Sequence, residues 1–210
     1  MKPKITYVEP AVMLSVAEKE MDAIPSEQLF NDSQYQKLKE RWCAGMFGLG
    51  YSTAVSPCVV AVNEAPDRMD VDIYLRSANR DWEFQLAEAQ DPDRKRGLEY
   101  KQLATGAVKT IGYRPERGKL EGPIWLANGV QRKKDKNYSN SSMMNLLLYA
   151  NFTANKIDHS TLVQQLSSFS TDFASLWILT NLCFCSIFSF TALGQTGGWS
   201  TIRPIEHYYT

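Results

Sequence analysis

Asp70-Val71-Asp72-Ile73-Tyr74-Leu75-Arg76-Ser77-Ala78-Asn79-Arg80-Asp81-Trp82-Glu83-Phe84-Gln85-Leu86-Ala87-Glu88-Ala89-Gln90 is the stretch on which the fold turns. β-Branched and aromatic residues mark 69–75 as a strand, and alternation in character marks 82–88 as another. Residues 76–80 between them have turn composition. Just upstream, Cys58-Val59-Val60-Ala61-Val62 has the β-branched content of a strand, closed by the turn Asn63-Glu64-Ala65-Pro66-Asp67. Three adjacent strands therefore meander antiparallel over residues 58–89.

Helical patterns lie on both sides of the meander. Residues 14–23 read as a short helix. Asp32 or Ser33 caps a longer one through Tyr35, Leu38, Trp42, Met46 and Phe47, which Gly48 and Gly50 are expected to end. Downstream, Asp91-Pro92 breaks the chain and Asp93 caps a helix whose apolar side carries Leu98, Leu103, Ala104, Ala107 and Val108, ending near Gly112. Gly and Pro density makes 111–123 a loop, and 124–136 a helix with Ile124, Leu126, Ala127 and Val130 inward. An apolar strand at 144–151, a helix at 160–168 and a strand at 174–181 complete the order β-β-β-α-α-β-α-β. That order describes a three-layer α/β architecture, a mixed central sheet flanked by helices. A single domain over 1–210 is expected, with a helical N-terminal segment of about 1–50, a core of about 51–182 and a C-terminal strand and tail at 183–210.

With 44% hydrophobic, 22% charged and 11% aromatic residues, the composition is that of a packed globular chain. Net charge is zero, but 12 Lys and Arg face 4 Asp and Glu between residues 94 and 136, whereas residues 1–93 hold 9 against 16. The basic segment can hold phosphate backbones locally, or it is simply a solvated surface. Cys43, Cys58, Cys183 and Cys185 form no CxxC pair, and His159 and His207 are the only histidines, which excludes a zinc-ligand spacing and points to buried thiols in a reducing compartment. Residues 1–10 lack the apolar run of a secretory signal, so a cytoplasmic protein is expected. Residues 173–194 are uncharged and long enough to cross a bilayer. Their hydroxyl and amide residues and their aromatic and β-branched crowding instead favour two buried strands and no membrane.

The chemistry sits in the quoted stretch. Asp70 and Asp72 lie at period two on one strand, as do Glu83 and Gln85 on the next, so each pair shares a face. Carboxylates converging from both strands suit a hard cation, Mg2+ or Mn2+, held by Asp70, Asp72 and Glu83. On an exposed face the same acids are solvated or balanced by Arg76 and Arg80. No Gly-x-Ser-x-Gly turn, Cys and His pair or phosphate-binding glycine loop offers another chemistry.

An acid on one strand, about a dozen residues, then Glu-x-Gln on the next strand and a helix beyond resembles the PD-(D/E)xK, or restriction-endonuclease-like, nuclease superfamily. The resemblance covers roughly residues 40–181, where a helix bearing an acid, a β-meander, a helix and a further strand follow in the superfamily's order. It implies that Asp72 matches the motif Asp, with Asp70 as substitute, that Glu83 matches the acidic residue, and that Gln85 stands where the motif usually has Lys. Glu40 matches the optional acid of the first helix, and Glu88 offers a shifted acid-x-Gln on the opposite face. Implied with it is metal-dependent hydrolysis of nucleic acid, DNA before RNA. Gln85 departs from the pattern, because an amide orients water but does not take its proton at neutral pH; a nuclease-like module that binds nucleic acid or a protein without catalysis is the alternative.

Two basic clusters are placed to hold the substrate backbone. Arg94, Lys95, Arg96 and Lys101 follow directly on the acidic strand, and Arg132, Lys133, Lys134 and Lys136 precede Tyr138, which can stack on a base. The second cluster equally complements a helix C-terminus. A homodimer stays open as a partner.

Overall fold

The computed structural model describes residues 5–25, 28–29, 32–65, 70–78, 80–93, 115–136, 143–152, 157–169, 172–180, 185–191 and 199–202. Strand β1 (Cys58–Val62) is buried at every position but Val59, as its β-branched run requires. It pairs antiparallel with β2 (Ile73–Ser77), which pairs antiparallel with β3 (Arg80–Gln90). Ser77 stands opposite Arg80, leaving a two-residue turn in which Ala78 takes φ 48°. Such short hairpin turns call for positive φ.

β3 outruns β2: the register ends at Ile73 opposite Phe84, and from Phe84 to Gln90 the strand pairs in parallel with β4 (Asn145–Asn151). β5 (Ser175–Thr180) adds in parallel, and β6 (Cys185–Thr191) and β7 (Trp199–Ile202) add antiparallel, giving seven strands in chain order. Parallel neighbours need a crossover, and two are supplied by helices α3 (Pro115–Lys134) and α4 (His159–Leu166).

Strand alternation divides the side chains between two cores. On one face Val60, Val62, Ile73, Leu75, Phe84, Leu147, Trp177 and Leu179 meet Cys43, Ala44, Phe47 and Tyr51 of helix α2 (Gln36–Ala54), with helix α1 (Pro10–Asp22) packed on α2. On the other, Ala87, Ala89, Leu146, Leu148, Leu176 and Ile178 meet Leu126 and Val130 of α3 and Leu162 and Leu166 of α4. The chain is thus an α/β protein with a mixed sheet and helices on both faces.

Several boundaries differ from the sequence expectation. The N-terminal helix starts at Pro10 rather than residue 14, with proline in the first turn where its missing N–H costs nothing. Asp32 caps a short 3-10 turn, accepting from Gln34 N–H at 2.9 Å, and α2 follows it. α2 runs through Gly48 and Gly50 to Ala54, because Gly48 is a contact residue: a Cβ there would lie 2.8 Å from Pro10 and Val60. α3 takes in residues 115–123, expected as loop, and includes Pro123; Gly122 lies under the Phe152 ring, 2.6 Å from where a Cβ would be. Ile124, expected inside, is exposed. The helix expected after Asp93 lies outside the described residues. Within 173–194 the described residues form β5 and β6, and no helix among the described residues is long and apolar enough to cross a membrane. Cys43 and Cys58 are buried thiols.

Candidate active site at the fork of the sheet

The end of β2 is where the sheet opens. Asp72 still donates its N–H to Phe84 O at 2.9 Å and accepts from Asn63 N–H at 3.0 Å, but no β2 residue lies further along β3. The next amide on that edge, Leu86 N–H, is taken by the Asp72 carboxylate, Oδ2, at 2.7 Å. This bond holds the carboxylate against β3. Structurally the same bond caps a ladder end, a role it would have without any chemistry.

Lys133, in the last turn of α3, brings its ammonium nitrogen to 3.7 Å from Asp72 Oδ2, with side chains 16% and 22% exposed respectively. Burial lowers the Lys133 pKa; Asp72 opposes that shift, Lys136 reinforces it and Glu40 opposes it. Glu40 belongs to α2, on the opposite face, is 5% exposed, and accepts from Lys37 Nζ at 2.8 Å and Gln36 Nε2 at 3.2 Å. Charge from helices on both faces thus bears on Lys133.

Gln85 lies one residue beyond Phe84, just past the end of the pairing with β2, on the same face as Ala87 and Ala89 by strand alternation, and it is 0% exposed. Its Oε1 and Nε2 have no hydrogen-bond partner among the described residues. A buried amide left so costs about 1–3 kcal/mol, which marks a position where a ligand would be welcome.

The other expected residues fall as follows. Glu83 shares the face of Asp72, but its opposite residue is Tyr74; it is exposed, and its carbonyl accepts from Asn145 Nδ2 at 2.9 Å. Asp70 is exposed in the turn ahead of β2. Glu88 lies on the opposite face and its carboxylate accepts from Asn151 Nδ2. Arg132 donates to Glu88 O at 2.9 Å and Lys134 to Asp172 Oδ2 at 3.0 Å, so both are used within the fold, while Lys136 is exposed. Arg94, Lys95, Arg96, Lys101 and Tyr138 lie outside the described residues.

No protein-family model, curated protein or solved structure matches this chain.

Among the described residues no three His, Cys, Asp or Glu side chains cluster as ligands. The donors at the fork are nonetheless hard oxygens, the Asp72 carboxylate and the unpartnered Gln85 Oε1. Oxygen is the donor type that magnesium and manganese take, usually one or two protein carboxylates with water and substrate phosphate. The residue missed in the sequence was Lys133 as the partner of Asp72. Its signal was position: three residues after Val130 and seven after Leu126, it falls on the apolar stripe of α3 instead of its solvated side.

Proposed function

We propose that this chain is a metal-dependent phosphodiesterase acting on nucleic acid, DNA before RNA, with its site at Asp72, Gln85 and Lys133 and with Glu40 flanking. The observation that carries the reading is the pairing of an oriented carboxylate with a largely buried lysine at 3.7 Å, with an unpartnered amide on the neighbouring strand, where the pairing of β2 with β3 ends. The order of helix, antiparallel meander, crossover helix and parallel strand supports it further, since the resemblance to the PD-(D/E)xK superfamily implies that order. In this reading the restriction-endonuclease-like site is rearranged: Gln85 takes the place of the second acid and Lys133, on α3, that of the strand lysine.

Mg2+ or Mn2+, when bound, supplies Lewis acidity toward the phosphate and acidifies a water. Asp72, fixed by Leu86 N–H, would hold that ion. Gln85 accepts with Oε1 and offers Nε2 to a phosphate oxygen. The Lys133 ammonium neutralises charge that develops on the phosphate, in surroundings dry enough to strengthen the interaction. Lys136, and the basic residues 94–101, hold the backbone without reading bases.

The test is incubation of supercoiled plasmid, linear duplex, single-stranded DNA and RNA with magnesium or manganese, with and without chelator. Metal-dependent cleavage lost in Asp72→Asn supports the proposal, and absence of cleavage under every condition refutes it. A second reading, binding without catalysis, is favoured by the neutral Gln85 and would show as metal-dependent DNA retention with no product.

A further inference from the structure

Part of β3 has a strand on one side only. Its pairing with β2 stops at Phe84, whereas β4 follows it to Gln90, so no strand among the described residues covers the other side of residues 86–90. Leu86 N–H and Glu88 O both bond away from β4. By alternation the N–H and C=O of Leu86, Glu88 and Gln90 therefore line this edge, about 7 Å from one residue to the next. Such a row is a template on which another chain can lay a strand. Two side chains occupy it instead. The Asp72 carboxylate accepts from Leu86 N–H at 2.7 Å, standing where a neighbouring strand would put a carbonyl oxygen. Arg132 donates from Nη2 to Glu88 O at 2.9 Å, standing where that strand would put an N–H. The two come from different elements, the lead-in to β2 and the end of α3, and Lys133 sets its ammonium 3.7 Å from Asp72 to balance the carboxylate. The outer edge of β1 is closed by main chain, since Val8 and Val60 exchange both hydrogen bonds at 2.9 Å.

We infer that Asp72 and Arg132 are plugs that keep the 86–90 edge of β3 from pairing with a second copy of this chain. A second copy is the partner because it carries a matching strand and is present in every solution of the protein. Laid antiparallel on its own copy, the edge puts N–H against C=O at each facing residue. The inference is independent of hydrolysis, and Asp72→Asn separates the two. An asparagine keeps an oxygen for Leu86 N–H, so the plug stays while the negative charge that would hold a cation goes.

The experiment follows mass by light scattering on a sizing column over a range of protein concentrations. Wild type and Asp72→Asn are compared with Asp72→Ala/Arg132→Met/Lys133→Met, which opens the edge and leaves no ammonium without its carboxylate. Wild type and Asp72→Asn should share one mass, and the triple variant should exceed it by about twofold or more, rising with concentration. Adding Glu88→Pro removes an edge N–H that β4 does not use, and should return the wild-type mass. Hydrogen exchange gives the same answer without the proline: the Glu88 amide should slow by about tenfold or more in the associated fraction. Should the triple variant not fold, as judged by circular dichroism, Arg132→Met alone is read in its place with the same expectation. A folded open variant that keeps the wild-type mass overturns the inference. So does growth in mass that Glu88→Pro leaves in place, or that Asp72→Asn shows equally.

Discussion

Replacing Gln85 by methionine should stabilise the protein and disable it. The side chain is fully buried and neither amide atom has a hydrogen-bond partner among the described residues. Leaving such a group without partners costs about 1–3 kcal/mol. Methionine has a similar length and no branch at Cβ, and swaps of this kind in a core usually cost under about 1.5 kcal/mol. The balance runs from about zero to a gain of about 3 kcal/mol, which in a chain of this size raises Tm by up to about 12 °C. Thermal melts followed by circular dichroism, with urea midpoints as a second measure, read the gain directly. If instead Gln85→Met lowers both, the amide is a satisfied member of the packing, and the claim that this position awaits a ligand fails.

Three other perturbations follow from the same structure. In Gly45→Ala the new Cβ would sit 2.9 Å from both Cβ and N of Leu14, so α1 must shift; the overpacking, about 1–3 kcal/mol, outweighs a helix-propensity gain of up to about 1 kcal/mol, and melts should show a net loss. Asp158 caps α4, where hydrogen bonds from Thr161, side chain and then main chain, and from Ser160 hold its pKa down to about 2 from 3.8. That lowered pKa stabilises the fold above pH 3.8 and ceases to do so as pH falls through about 2, so the Tm difference between wild type and Asp158→Asn should narrow in acid. Lys133 shows the opposite sense: burial lowers its pKa below 10.5, so the folded state sheds the proton more readily, and wild type should gain stability relative to Lys133→Met as pH rises toward 10.5.

The central sheet could be read along the chain because its strands carry their own signals. Cys58–Val62 and Asn145–Asn151 are apolar runs of strand length, and the order of elements through β5 follows from them. What escaped was decided by contacts at a distance. Gly48 and Gly122 have the composition of breaks, yet each is small because another element presses on it: Pro10 and Val60 in one case, Phe152 in the other. Residues 115–123 have loop composition and are helical for that reason.

Less of the candidate site could be read along the chain. Asp72 and Glu83 do share a face, but a two-residue turn at Ala78 sets Ser77 opposite Arg80, which puts Tyr74, not Asp72, opposite Glu83. Only the length of that turn decides between them, and residues 76–80 permit several. Lys133 lies 61 positions from Asp72 in the chain and reaches it through the packing of α3 on the sheet, which no local pattern encodes.

The most direct measurement is the rate of manganese-dependent plasmid cleavage in wild type, Glu83→Ala, Asp72→Asn and Lys133→Gln, each checked for folding. Wild type and Glu83→Ala should cleave alike, while Asp72→Asn and Lys133→Gln should fall by about 100-fold or more. Cleavage that survives Lys133→Gln and is lost in Glu83→Ala would contradict the assignment of the site to the fork of the sheet.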